Sequence, residues 1–282
     1  MTDFEEAGYI LDEVKQLKSE GHALCEIALL YRSNAQSRVL EHALFNAGIS
    51  YRVYGGLRFF ERQEIKHALA YLRLVANADD DGALLRVINF PTRGIGNRSI
   101  EQLQEVAAGR GISLWQAACV NNLGGRAGTS IAAFVRLIES MRSACTDLPL
   151  PEIIDHVVEL SGLIAHYRNE REGEDRLDNL GELTNAAVAF VSADGPIAQV
   201  TEEGEIRAEG FPALAAFLAH ASLEAGEHQA AVGADALQLM TVHSAKGLEF
   251  HAVFITGLEE GLFPHENSIS EQDGLEEERR LM

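Results

Sequence analysis

The sequence predicts an α/β fold in which a parallel sheet is assembled from two separated chain segments and interrupted by a large all-helical insertion. Three observations carry this. A β-α-β pattern occupies residues 27–54, helical periodicity runs from Gln63 to Ser222, and β-type apolar runs return at Leu237. Each β-rich piece offers two strands, too few for a stable sheet alone, so joining them into one domain is the economical solution.

In chain order, Ile10, Leu11, Val14 and Leu17 have helical spacing, and Gly21 stops that helix. Ile27-Ala28-Leu29-Leu30-Tyr31 is a short apolar run bounded by polar residues, the mark of a buried strand. Asn34 or Ser37 caps the next helix, whose apolar face is Val39, Leu40, Ala43, Leu44 and Ala47 and which Gly48 ends. Tyr51 to Tyr54 is a further strand. Helical segments follow near 63–76, 83–90, 99–109, 113–121, 129–145, 151–166, 176–191 and 211–224, separated by Gly- or Pro-containing breaks. The acidic, Gly-punctuated stretch near 192–210 is expected to be a mobile loop. Two apolar runs, Leu237–Val242 and Ala252–Ile255, then complete the sheet across a polar turn. The expected organisation is a first sheet segment at 1–60, a helical insertion at 61–236 and a second sheet segment at 237–282.

Composition narrows the class. A 46% hydrophobic content supports real cores and excludes wholesale disorder. No apolar run approaches the ~20 residues of a membrane span. The acidic N-terminus does not look like a signal peptide, so a cytoplasmic location is expected. Cys25, Cys119 and Cys145 are too scattered for a metal site and are expected to be reduced, partly buried thiols. The net charge of −20 argues against nucleic acid until its distribution is examined. Residues 21–110 carry eleven Lys+Arg against nine Asp+Glu, whereas the remainder carries twelve against thirty-four. One locally basic segment on an acidic body is compatible with nucleic-acid contact through that segment.

Four stretches carry candidate chemistry. In Tyr31-Arg32-Ser33-Asn34 a strand ends in guanidinium, hydroxyl and amide groups, either a phosphate-contacting edge or an ordinary capped turn. Tyr54-Gly55-Gly56-Leu57-Arg58-Phe59-Phe60-Glu61-Arg62 sets aromatics beside arginines. It suits either a single-strand grip by stacking, or a hinge whose phenylalanines enter the core and whose Arg62 pairs with Glu61 or Glu64. Thr92-Arg93-Gly94-Ile95-Gly96 is a tight turn before a helix, with Ser99-x-x-Gln102 fitting a capping box. It seats a duplex phosphate or simply joins two helices. The turn Thr241-Val242-His243-Ser244-Ala245-Lys246-Gly247-Leu248-Glu249 sits where a strand ends, the usual place for working residues of α/β proteins. Within it, His243 is by default structural, and Lys246, one of four lysines, belongs to no phosphate-binding G-x-x-x-x-G-K-[ST] loop. Neither an H-E-x-x-H nor a G-x-S-x-G pattern is present.

Taken in order, I-A-L-L-Y-R-S-N-A-Q-S-R, Y-R-V-Y-G-G-L-R-F-F-E-R-Q-E-I-K, P-T-R-G-I-G, L-M-T-V-H-S-A-K-G-L-E-F and G-L-E-E-G-L-F-P-H resemble the UvrD/PcrA/Rep helicases of superfamily 1. The resemblance implies that the interrupted α/β unit is the family's second RecA-like domain, 2A, carrying the helical insertion 2B. It implies that Arg32, Ser33 and Asn34 contact the single-strand backbone, and that Tyr54 to Arg62 lie near that strand at the 2A/2B junction. Thr92, Arg93, Gly94, Ile95 and Gly96 would touch the duplex ahead of the fork. Thr241, His243 and Ser244 would contact single-stranded DNA, with Gly247 and Glu249 at the ATP and Glu249 reaching its ribose. Implied partners are single-stranded DNA, a single-strand/duplex junction, and repair or transcription proteins on the helical domain. Implied cofactors of the full-length enzyme are ATP and Mg²⁺, neither bound tightly by this chain. The first RecA-like domain, with its Walker A lysine, magnesium ligands and catalytic carboxylate, is absent, and the chain stops before the family's Thr-Arg-Ala motif. It is therefore expected to be a piece of a longer enzyme, truncated at its C-terminus and unable to hydrolyse ATP alone. Other roles in view are a non-catalytic DNA- or protein-binding module, or the helicase part of a helicase–nuclease subunit.

Overall fold

The chain begins with a capping box. The Thr2 hydroxyl accepts from the Glu5 N–H at 3.3 Å, and the Glu5 carboxylate accepts from the Thr2 N–H at 2.8 Å. This starts α1 (Asp3–Ser19) well before the apolar stripe at Ile10. The computed structural model describes residues 2–120, 124–171, 173–194, 199–200, 206–207, 210–226, 234–259, 262–264 and 274–281. Two compact units result, Met1–Arg62 with Ser222–Met282, and Gln63–Ala221.

The first unit is built on a four-stranded parallel sheet. Its strands are β1 (Ile27–Tyr31), β2 (Tyr51–Val53), β5 (Leu237–Thr241) and β6 (Ala252–Ile255), in the spatial order β2-β5-β1-β6. Ile27, Leu29 and Tyr31 of β1 join Ile10 and Val14 of α1 and Leu40 and Leu44 of α2 (Ser37–Asn46) in one core. Ala28 and Leu30 point the other way, with Met240, Phe250 and Ile255. Burial on both faces explains why β1 is continuously apolar rather than alternating. The β-α-β segment does not pair its own two strands, because β5 inserts between β1 and β2. Neither expected cap starts α2: Ser37 is its first residue, and Asn34 opens a 3-10 turn (Asn34–Gln36) before it.

The second unit is helical: α3 (Gln63–Ala76), α4 (Asp81–Val87), α5 (Asn97–Arg110), α6 (Leu114–Cys119), α7 (Gly125–Ala144), α8 (Leu150–Leu160), α9 (Leu163–Tyr167), α10 (Gly173–Asp194) and most of α11 (Gly210–Gly226). Ten of the fourteen residues of α3 are buried, which makes it the central helix of this unit. Its His67 stacks on Phe90 with ring centroids 3.7 Å apart, and its Nδ1 lies 2.8 Å from the Tyr167 hydroxyl. Burial, assisted by Arg86, holds the His67 pKa down to about 4. α5 starts at Asn97 behind Gly96, so Ser99 is buried inside the first turn and the expected Ser99–Gln102 capping box does not form. Of the loop expected near 192–210, Gln199–Val200 (β3) pairs antiparallel with Ile206–Arg207 (β4). Residues 195–198, 201–205 and 208–209 lie outside the described residues, as do 260–261 and 265 of the G-L-E-E-G-L-F-P-H motif. The last helix, α12 (Gly274–Leu281), belongs to the sheet unit. Contrary to the reading of partly buried thiols, Cys25 and Cys119 are exposed; Cys145 is buried.

The unit limits differ from those expected at 60 and 236, and the reason is local bonding. Arg62 Nη2 donates to Ser37 Oγ at 2.7 Å, Arg58 donates to the carbonyls of Glu224 and Ala225, and His42 Nδ1 meets Glu224 Oε1 at 2.5 Å. These bonds tie residues up to Arg62, and the last turn of α11, to the sheet unit.

Candidate nucleic-acid and nucleotide edge

Because all four strands run parallel, their carboxyl ends share one edge of the sheet, the usual position of α/β ligand sites. Across that edge the loops beginning at Tyr54, Val242, Arg32 and Thr256 follow one another. Register fixes the adjacency: Tyr31 lies beside Thr241, and Val53 beside Leu239.

The turn after β5 folds on itself. Thr241 Oγ1 lies 3.0 Å from Ser244 Oγ and accepts from the Ser244 N–H at 3.2 Å, while the Ala245 N–H donates to the Thr241 carbonyl at 3.1 Å. That leaves His243, Lys246, Gly247 and Glu249 exposed, with Thr241 and Ser244 half-buried beneath them. Gly247 has φ +86°, a conformation that favours glycine.

The turn after β1 is organised by Gln36, whose Oε1 accepts from the N–H groups of Arg32 and Ser33, each at 2.9 Å. Arg32 is not an open guanidinium: its Nε lies 2.9 and 3.0 Å from the two carboxylate oxygens of buried Glu278, and Nη2 lies 2.5 Å from one of them. Ser33 and Asn34 are half-buried beside it. After β6, the Gly257 N–H donates to the Glu6 carboxylate of α1 at 3.2 and 3.3 Å.

The loop after β2 resolves its two readings toward the core. Phe59 and Phe60 are 1% and 6% exposed and pack edge-to-face, so they offer no stacking platform. Arg62, expected at the DNA strand, is buried instead. It reaches Ser37 and Glu41 rather than Glu61 or Glu64, and its guanidinium lies 5.4 Å from the Phe59 ring centroid. Glu61 pairs with Arg58, and Glu64 accepts from Asn179. Tyr54 and Gly55 do reach the edge. Tyr54 is 50% exposed, and a Cβ on Gly55, at φ +76°, would stand 3.1 Å from Ser244 Oγ.

Behind this loop sits a buried carboxylate that the sequence reading missed. Glu41 accepts from Ser37 Oγ at 2.5 Å, from the Tyr51 hydroxyl at 3.3 Å and from the Phe59 N–H at 3.1 and 3.3 Å, and lies 3.7 Å from Arg62. Burial raises its pKa above the usual carboxylate range, against the opposing pull of Arg62 and the three hydrogen bonds. The available signal was a carboxylate between Leu40 and Leu44 on the apolar face of a short helix.

In the helical unit, the Thr92–Gly96 turn also turns its charge inward. Arg93 Nη1 donates to the carbonyls of Val87 at 3.2 Å and Pro91 at 3.0 Å, and Nη2 to that of Ser161 at 2.8 Å. Its guanidinium lies 5.7 and 5.6 Å from the ring centroids of Tyr71 and Phe134. Ile95 is fully buried, and its N–H joins that of Arg93 on Asn89 Oδ1. The Arg93 guanidinium and the Ile95 side chain, both expected at the duplex, are thus turned inward in this structure. Thr92, Gly94, Gly96 and Arg98 stay exposed, and so does Arg126 of α7, whose Nε would lie 4.0 Å from a Cβ on Gly94.

Comparison with known proteins adds the decisive observation. The family model of the UvrD-like helicase C-terminal domain matches residues 1–282. The chain belongs to that family. Within it, the chain is 48% identical over 285 residues to DNA helicase II of Escherichia coli, covering 99% of this chain and 38% of that protein. DNA helicase II of Salmonella typhimurium is 47% identical over the same shares. The ATP-dependent DNA helicase PcrA of Bacillus subtilis is 38% identical over 291 residues, 99% of this chain and 37% of that protein. The chain thus spans less than two fifths of the length of these relatives, and the α/β architecture expected of a UvrD-like chain is the one observed.

Proposed function

We propose that this chain supplies the C-terminal motor half of an ATP-dependent DNA helicase or translocase moving 3′ to 5′. One observation carries the reading: in a UvrD-like chain, Tyr54, Thr241, His243, Ser244, Ser33 and Asn34 gather along one carboxyl edge of a parallel sheet. The sheet unit corresponds to domain 2A and the helical unit to 2B. Hydroxyl, imidazole and amide groups at this spacing suit a sugar–phosphate backbone, which calls for hydrogen bonds without base readout, and Tyr54 adds an exposed ring for an unstacked base. Arg32 supplies positive charge at the same edge, and a phosphate arriving there competes with Glu278 for the guanidinium.

Gly247 and Glu249 face the nucleotide. The glycine allows close backbone approach, and the exposed carboxylate accepts hydrogen bonds from ribose hydroxyls. ATP supplies the phosphoryl chemistry and Mg²⁺ neutralises its charge. No magnesium ligand is assigned among the residues of this edge, and the sequence holds no Walker-type lysine loop. The chain alone therefore does not hydrolyse ATP. In the helical unit, the exposed backbone of Thr92, Gly94 and Gly96, with Arg98 nearby, seats a duplex phosphate. Among the described residues, no helix is long and apolar enough to cross a membrane.

DNA-stimulated ATPase, measured on this chain and on the full-length gene product, tests the proposal. Stimulated turnover is expected in the full-length protein and none in the chain. A full-length protein without DNA-stimulated turnover overturns the helicase reading. An unchanged single-strand affinity in both the Thr241→Ala and His243→Ala full-length proteins overturns the strand path.

A further inference from the structure

We infer that Glu41 is a positioning residue for the single-strand path, acting through the loop after β2. The inference rests on the strand-edge reading proposed above. Its starting point is where the Glu41 partners lie in the chain. Tyr51 opens β2, Phe59 begins the 3-10 turn that closes the loop, and Arg62 is the last residue of the sheet unit before the chain enters the helical one. A single carboxylate therefore pins both feet of the segment from β2 to the 3-10 turn, at Tyr51 and at Phe59, and holds Arg62 as well.

The tip of that segment is Tyr54-Gly55-Gly56, which reaches the edge beside the β5 turn. The 3.1 Å separation between a Cβ on Gly55 and Ser244 Oγ leaves no space for an intervening side chain. The position of Tyr54 relative to Thr241, His243 and Ser244 is therefore set by how firmly the feet are held. Simple packing does not need a carboxylate here. Desolvating an ionised group is costly, and an apolar residue of similar size fills such a site at least as stably. Three hydrogen-bond donors, Ser37 Oγ on the same helix, the Tyr51 hydroxyl and the Phe59 N–H, meet at this carboxylate beside the Arg62 guanidinium, which itself bonds Ser37 Oγ. Together they give what an apolar residue cannot, a fixed direction for each segment.

The test uses the full-length gene product and a single-stranded oligothymidine titrated into the ATPase assay. Glu41→Gln keeps the shape but removes the charge opposite Arg62. Ser37→Ala keeps the ion pair but removes the bridging hydroxyl, and it carries the test should Glu41→Gln fail to fold. The DNA concentration giving half-maximal stimulation is expected to rise about tenfold in Glu41→Gln and about threefold in Ser37→Ala. Turnover at saturating DNA stays within about twofold of the parent, because no group touching nucleotide has moved. A merely structural Glu41 gives the opposite split, lower turnover at an unchanged half-saturating concentration, and that result overturns the inference, as does a wild-type titration curve. His243→Ala separates the two levels. If it raises the half-saturating concentration while the Glu41 and Ser37 variants do not, only the positioning role falls. If it and Thr241→Ala both change nothing, the strand-edge reading falls as well.

Discussion

The turn after β5 and the loop after β2 leave neighbouring strands at the same edge of the sheet, yet they direct their polar residues oppositely. From the β5 turn, His243, Lys246 and Glu249 point into solvent, and the turn holds itself together through Thr241 and Ser244. From the β2 loop, Arg58 and Arg62 point inward, onto Glu61, backbone carbonyls, Ser37 and Glu41, leaving Tyr54, the two glycines and Leu57 at the surface. The Thr92–Gly96 turn of the helical unit behaves like the β2 loop, with Arg93 bonded to three carbonyls. An arginine in a glycine-rich loop is thus no measure of surface charge. Its five donors suit it equally to closing a loop whose carbonyls have lost their helix or strand partners.

Arg62→Ala probes the contrast most strongly. Removing one partner of a buried pair leaves Glu41 uncompensated, so a loss of about 3–5 kcal/mol is expected in urea unfolding of the sheet unit. A loss under about 1 kcal/mol would place Arg62 with ordinary surface groups instead. The helical unit offers a second buried group, one kept neutral. His67 titrates near 4 when folded against an ordinary value of 6.5. The unfolded chain therefore binds the extra proton first. Stability is fully present above about pH 6.5 and is lost as pH falls toward 4, by up to about 3 kcal/mol. Thermal unfolding across that window should show the slope, and His67→Gln should flatten it. Gly55→Ala tests the close approach of the two loops. A left-handed alanine costs about 1 kcal/mol, and its methyl, pressed on Ser244, should weaken single-strand binding in anisotropy titrations. The smallest stability effect belongs to the exposed turn. His243→Ala should change stability by less than about 0.5 kcal/mol, yet lower single-strand affinity about fivefold.

Much of the sheet was legible because short apolar runs bounded by polar residues mark strands directly: Ile27–Tyr31 and Ala252–Ile255 lie where the pattern placed them. Helix α3 was legible to its ends, since Gln63–Ala76 alternates apolar and polar residues at helical spacing. Among the site residues, the backbone positions and small polar groups, Thr241, Ser244, Tyr54 and Gly55, came together at one edge as a run of strand ends suggests. Arg58 and Arg62 turned inward instead, because residue type does not say which way a long side chain turns. Glu41 escaped notice for the same reason: its partners Tyr51, Phe59 and Arg62 come from other elements, and nothing local announces them.

By itself, the sequence determined the elements and the class: strand, helix and turn follow from periodicity, glycine and capping residues, all short-range. It also determined membership in the UvrD-like helicase C-terminal domain family, through motifs spread along the chain. Only the tertiary structure decided that β5, more than two hundred residues after β1, lies between β1 and β2, and so which loops become neighbours. Strand pairing and buried ion pairs are long-range choices, settled by which arrangement buries both sheet faces and leaves no charge unpaired.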